Sequence, residues 1–165
     1  VGQGSIFWFV VPLKKRERSA VPPAPTFTGL TAEQRLQEEY AGTRILLAED
    51  EPITQVISCA LLEDVGLMVD LAEDGQQALE LAKQTPYALI LMDMQMPVMN
   101  GVEATRAIRT LSGYAQTPIL AMTANAFDED RQVCIDASMN DHIVKPVDPQ
   151  KLYETLLAWL EKRGH

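Results

Sequence analysis

Four short apolar runs in this 165-residue chain end on residues that can do chemistry. Residues 45–48 run into Glu49 and Asp50, residues 88–92 into Asp93, residues 118–122 into Thr123, and residues 143–144 into Lys145. Two acids, a third acid, a hydroxyl and an ammonium do nothing special alone, because each is an ordinary polar residue at the end of an apolar run. Brought together, three carboxylates repel. Two unit charges about 5 Å apart at an effective dielectric of 20 cost roughly 3 kcal/mol. Either a pKa rises or a cation sits among them. Only oxygen ligands are on offer, so a hard cation such as Mg²⁺ is the match, with the backbone carbonyl of Gln95 as a further oxygen.

The elements that must position these residues are set by periodicity. Ala88 to Met92 is continuously apolar, which reads as a strand buried on both faces, as in a parallel sheet. Similar short runs at 45–48, 68–72, 118–123 and 143–144 alternate with helical patterns at 52–65, 75–85, 102–111, 125–138 and 152–159. Strand–helix alternation means a parallel sheet covered on both faces. Right-handed crossovers leave few topologies, and the expected fold is α/β, a flavodoxin-like (βα)5 three-layer sandwich with strand order 2-1-3-4-5. In that order strands one and three are neighbours, so Glu49, Asp50 and Asp93 share one edge, the carboxyl edge where open α/β sheets bind ligands. Lys145 faces the three acids there, and its pair with Asp93 is expected to be partly exposed and to contribute on the order of 0–1 kcal/mol.

Ahead of this body, residues 1–13 read as a Gly turn and one strand. Residues 14–43 read as a linker, with a basic run at 14–18 and prolines at 22, 23 and 25. Residues 14–30 are expected to be mobile. Within the linker, Thr31 and Gln34 resemble a capping box opening a short helix whose apolar face is thin.

The net charge of −9 is uneven: residues 45–165 hold eight Lys/Arg against nineteen Asp/Glu. That excess argues against a nucleic-acid surface and for cation binding. Cys59 and Cys134 fall in helical patterns and suit small core positions in a reducing cytosol. No run is long enough to span a membrane. The turn after the first strand, EDEPITQ, holds no glycine, which weighs against a dinucleotide fingerprint.

The pieces AEDE at 48–51, LMDMQMPVMNG at 91–101, AMTANA at 121–126 and HIVKPVD at 142–148 resemble a response-regulator receiver domain over residues 44–162. The resemblance implies that Asp93 is the phosphoacceptor. Glu49 and Asp50 are then the acid pair that holds Mg²⁺ with Asp93 and the Gln95 carbonyl, Glu49 indirectly. Thr123 and Lys145 are the phosphate-sensing hydroxyl and lysine. It implies a phosphohistidine of a kinase dimerisation domain as donor, and a histidine phosphotransfer domain or downstream response regulator as recipient. The fragment would catalyse only its own phosphorylation and dephosphorylation. One position departs from the family: His142 stands where the family usually carries the Tyr or Phe switch residue.

Residues 1–13 are similar to the last strand of a histidine-kinase ATP-binding domain. That implies the C-terminal part of a hybrid sensor kinase, cytoplasmic, with a parent anchored in the inner membrane and no membrane or nucleic-acid contact by this fragment. Gly2 and Gly4 alone cannot make an ATP site. A Mg²⁺-dependent phosphatase with an Asp nucleophile is the rival chemistry, but its second Asp is replaced here by Gln95. A receiver-like domain without activity is the third reading, and the intact acid, Thr and Lys set argues against it.

Overall fold

The computed structural model describes residues 29–124 and 128–163. The strand expected over 1–13, the linker up to 28 and the helix start at 125–127 lie outside the described residues. The remaining elements appear in the expected order. Helix α1 (Ala32–Glu39) precedes β1 (Arg44–Ala48), α2 (Pro52–Asp64), β2 (Met68–Ala72), α3 (Gly75–Gln84) and β3 (Leu89–Asp93). Then come α4 (Gly101–Arg109), β4 (Ile119–Thr123), α5 (Asp128–Asp136), β5 (Asp141–Val144) and α6 (Pro149–Arg163).

The five strands pair in parallel in the order β2-β1-β3-β4-β5. Alternate residues of each central strand feed opposite cores, as the period of two requires. Ile45, Leu47, Leu89, Leu91, Leu120 and Met122 pack on one side with Leu62, Leu156 and Leu160. Leu46, Ala48, Ile90, Met92, Ile119 and Ala121 pack on the other with Ala78, Ala104 and Ile108. All five residues of β3 and of β4 are buried. This is why both runs are continuously apolar rather than alternating.

Helix starts obey local chemistry. Thr31 and Gln34 form the expected capping box at α1, and Asn100 and Glu103 form another at α4. Asp74 caps α3 by accepting from the Gln77 backbone N–H at 2.8 Å. Helix α6 starts three residues earlier than its apolar periodicity suggests. Asp148 accepts from the Lys151 N–H at 2.9 Å and supplies a cap that periodicity does not register.

The thin apolar face of α1 does not leave it loose. Leu36 is fully buried in the core formed by α2, α6 and the sheet, and Ala32 and Tyr40 pack against it. Arg35 reaches Glu39 on its own helix and Glu161 on α6, and Gln37 donates to the Asp64 carbonyl that ends α2. One fully buried leucine is worth about 1.5–3 kcal/mol, enough to hold eight residues that are marginal as an isolated helix. Leu36→Ala should therefore speed amide exchange in α1 by at least tenfold while the β1 and β3 amides hold their protection. Unchanged α1 exchange would show that the helix is held by something else.

Candidate functional site

The sheet register assembles the expected residues at the carboxyl edge. Ala48 pairs with Met92, so Glu49 and Asp50 leave β1 beside Asp93 at the end of β3. Asp93 pairs with Met122, which puts Thr123 one step beyond it on β4. Thr123 pairs with Val144, and Lys145 comes directly after. The Lys145 N–H donates to the Thr123 carbonyl at 2.7 Å, and the Lys145–Pro146 peptide is cis.

One carboxylate oxygen from each of Glu49, Asp50 and Asp93 lies within 4.8 Å of the others. Glu49 is fully buried, Asp93 is 5% exposed and Asp50 is exposed. Lys145 Nζ sits between two of them, 2.7 Å from Asp93 Oδ2 and 2.6 Å from Glu49 Oε2. Glu49 Oε2 has no aligned hydrogen bond, so the ammonium meets it as a bare ion pair. Its other oxygen accepts the Glu51 N–H at 3.2 Å. Asp93 Oδ1 accepts the Gln95 N–H at 3.1 Å. A buried carboxylate oxygen short of hydrogen bonds, with two acids beside it, is a donor set that fits a hard divalent cation. Glu49, Asp50 and Asp93 are the side chains that would hold one.

Burial pushes the Glu49 carboxyl above the ordinary glutamate range. The Lys145 ammonium pulls against that shift, while the Asp93 charge adds to it. Burial also works against the Lys145 ammonium, but its hydrogen bond to Asp93 and its close pairing with the Glu49 carboxylate outweigh that and hold its pKa above the ordinary lysine value. The pair expected to be partly exposed thus lies deeper than the sequence suggests. Lys145 serves the fully buried Glu49 as well as Asp93, and its side chain is only 20% exposed.

The roles of three flanking residues are not read from the motifs. Glu51, adjacent to the acid pair, does not join it. Its carboxylate caps α2, accepting from the Ile53 and Thr54 N–H groups at 3.1 and 2.6 Å, and the Thr54 side chain together with these N–H groups holds its pKa below the usual range. An acid directly before Pro52 is the available signal, since Pro favours the first helical position. Gln55 donates to the Glu49 carbonyl at 2.6 Å. Gly101 has no room for a side chain, because a Cβ there would strike the Asp93 carbonyl oxygen. The loop between Asp93 and Gly101 turns at Val98, which has φ 66° and is 84% exposed.

His142 does not join the cluster. It sits on β5 opposite Ala121; its backbone N–H donates to Asp141 Oδ1 at 2.9 Å, and its half-buried ring places Nδ1 3.7 Å from that same oxygen. That same Asp141 carboxylate accepts the Trp159 indole N–H at 3.0 Å through its other oxygen.

Residues 45–157 match the family model of the response regulator receiver domain. The chain belongs to that family. It is 39% identical over 127 residues to the signal transduction histidine-protein kinase BarA of Escherichia coli, covering 77% of this chain and 14% of that protein. It is 37% identical over 155 residues to the autoinducer 2 sensor kinase/phosphatase LuxQ of Vibrio vulnificus, covering 94% of this chain and 17% of that protein. The chain therefore spans less than a fifth of either relative. Among solved structures, the receiver domain of the Pseudomonas aeruginosa sensor histidine kinase PA1611, which carries magnesium in its active-site cleft, superposes with TM-score 0.70 at 42% identity. That match covers 73% of this chain and 99% of that one. The receiver domain of Saccharomyces cerevisiae Ssk1, solved with the phosphotransfer protein Ypd1, superposes with TM-score 0.69 at 28% identity, covering 76% and 93%. The fold and order 2-1-3-4-5 are those of the receiver family. No described helix is long and apolar enough to cross a membrane.

Losing the ammonium strands a buried carboxylate, so Lys145→Met should destabilise the metal-free protein by about 1–3 kcal/mol in urea unfolding. Millimolar Mg²⁺ should recover part of that loss. An unchanged midpoint without Mg²⁺ would mean that Glu49 finds its compensation elsewhere.

Proposed function

We propose that this receiver accepts a phosphoryl group from a protein phosphohistidine onto Asp93. The observation that carries the reading is the state of that carboxylate. It is 5% exposed at the end of the central strand, with one oxygen on Lys145 at 2.7 Å and the other on the Gln95 N–H. It is fixed, ionisable and reachable from the carboxyl edge. An Asp93 oxygen attacks phosphorus in line, the P–O bond forms as the P–N bond breaks, and the donor imidazole, protonated beforehand on its other ring nitrogen, takes the P–N electron pair and leaves as neutral imidazole. Asp50 and Asp93, with Glu49 behind them and the Gln95 carbonyl as a further oxygen, would hold a divalent cation, which would supply positive charge for the phosphoryl oxygens. Lys145 keeps its ammonium beside Asp93 Oδ2, where the incoming phosphoryl oxygens bring added negative charge, and needs little reorganisation to meet them. Thr123, one step along the neighbouring strand, is the hydroxyl that closes on the product.

The magnesium of the PA1611 receiver supports the choice of cation, and the Ypd1 complex of the Ssk1 receiver supports a histidine phosphotransfer partner. In the whole protein we read residues 44–162 as the receiver and residues 1–13 as the last strand of a kinase ATP-binding domain, with 14–43 between them. The parent is a hybrid sensor kinase that works in the cytoplasm from a membrane anchor, and the phosphoryl group passes on to a histidine phosphotransfer domain or downstream regulator. His142 replaces the aromatic switch residue. Its ring, with Nδ1 3.7 Å from Asp141 Oδ1 at the start of β5, favours a role beside that strand rather than inside the carboxylate cluster.

Incubation with Mg²⁺ and a small phosphodonor should add one phosphoryl mass to the intact protein. Asp93→Asn should abolish the gain, and Asp50→Asn should slow it at least tenfold. Labelling of Asp93→Asn at the parent rate would move the acceptor to another residue.

A further inference from the structure

Helix α1 lies outside the stretch that matches the family, which begins at residue 45. Its direction changes where the chain enters the fold. Residues 29–33 border a cavity of about 570 Å³ with Pro149, Gln150, Tyr153 and Glu154, the first turns of α6. Arg35 pairs with Glu161 further along α6. Tyr40 shares a cavity with Leu160 and Arg163 at the end of α6, and with Thr43, Arg44, Pro86 and Ala88 at the amino ends of β1 and β3. Thus α1 runs parallel to α6, from the carboxyl edge of the sheet down to its amino edge. Glu154 also borders the cavity lined by Lys145 and Pro146, which places the start of α1 on the side of the candidate site.

A chain that began at β1 would enter at Arg44, on the edge opposite Asp93. Docked α1 moves the entry point back across the strand length, ~17 Å for five residues, to Gly29 beside the first turn of α6. We propose that α1 is a return strap: docked, it tethers whatever is joined upstream of Gly29 at the Asp93 edge. Eight residues are too few for a helix that stands alone, so α1 is helical when docked and not when released. Its hold rests on Leu36, the Arg35 fork and the Gln37 bond to Asp64. Release hands the tether to Arg44 and lengthens it by the residues between. Given the proposed function, the beneficiary is a phosphohistidine-bearing module joined in cis, whose effective concentration at Asp93 the docked strap raises.

The test uses the full 165-residue chain with a nitroxide on Gly29→Cys, an exposed position with open space for a side chain. Cys59 is changed to Ser, and Cys134, 5% exposed, is left in place. Amide signals of Val147, Asp148 and Gln150 should be lost strongly, and those of Arg44, Met68 and Ala88 at the amino edge should not. Arg35→Glu, which sets like charges against Glu39 and Glu161, and Leu36→Asp, which places a charge in the core, should each cut the carboxyl-edge loss by at least half. Dominant loss at Arg44, Met68 and Ala88 in the parent would overturn the strap. So would a parent-like pattern in both variants while their sheet amides keep native shifts. Phosphoryl labelling is read separately by mass, so a failure of the Asp93 assignment leaves this comparison intact.

Discussion

The structure depends on an electrostatic conflict held at the end of β3. Three carboxylates within 4.8 Å of one another, one of them fully buried, face a single ammonium. Lys145 hydrogen-bonds Asp93 and meets Glu49 Oε2 as an ion pair without an aligned hydrogen bond, while the Glu51 N–H takes the other Glu49 oxygen. Such a cluster opposes folding, and the rest of the domain must outweigh it. The two apolar layers around β1, β3 and β4 do so, because their strands are buried over nearly their whole length. The conflict is also what makes the site selective. It favours any arriving group that brings positive charge, and then any charge that the cation and Lys145 together can accept.

Sheet geometry converts this local conflict into a site with direction. Parallel pairing places Ala48 against Met92, Asp93 against Met122 and Thr123 against Val144. Each functional residue then sits at or just past the last rung of its own strand. The loops beyond are held by short-range devices: Glu51 capping α2, Gln55 on the Glu49 carbonyl, and Gly101 closed against the Asp93 backbone. None of these belongs to the carboxylate cluster, yet each holds backbone next to it.

Much of this is legible in the sequence because parallel strands buried on both faces leave an unmistakable apolar run, and the residues just past that run must lie at the carboxyl edge. Glu49, Asp50, Asp93, Thr123 and Lys145 are readable for that reason. Depth is not readable. Nothing in AEDE says that the first acid is fully buried while the second is exposed, so the lysine pair reads as weaker than its surroundings make it. Helix α1 is hard to judge for a related reason. A single leucine makes a thin apolar face, and its value depends on α6, more than a hundred residues away. His142 is readable as a departure from the family, but its bond to Asp141 beside Trp159 depends on how α6 ends.

The most direct measurement is the unfolding free energy of the parent and of Asp50→Asn as a function of Mg²⁺ concentration. A cation that binds only the folded state stabilises it by RT ln(1 + [L]/Kd). Because Asp50 adds charge to an already crowded cluster, Asp50→Asn should be more stable than the parent without Mg²⁺ and should lose most of the Mg²⁺ response, so the two curves cross. A parent indifferent to Mg²⁺, or an Asp50→Asn variant less stable than the parent in its absence, would contradict the account.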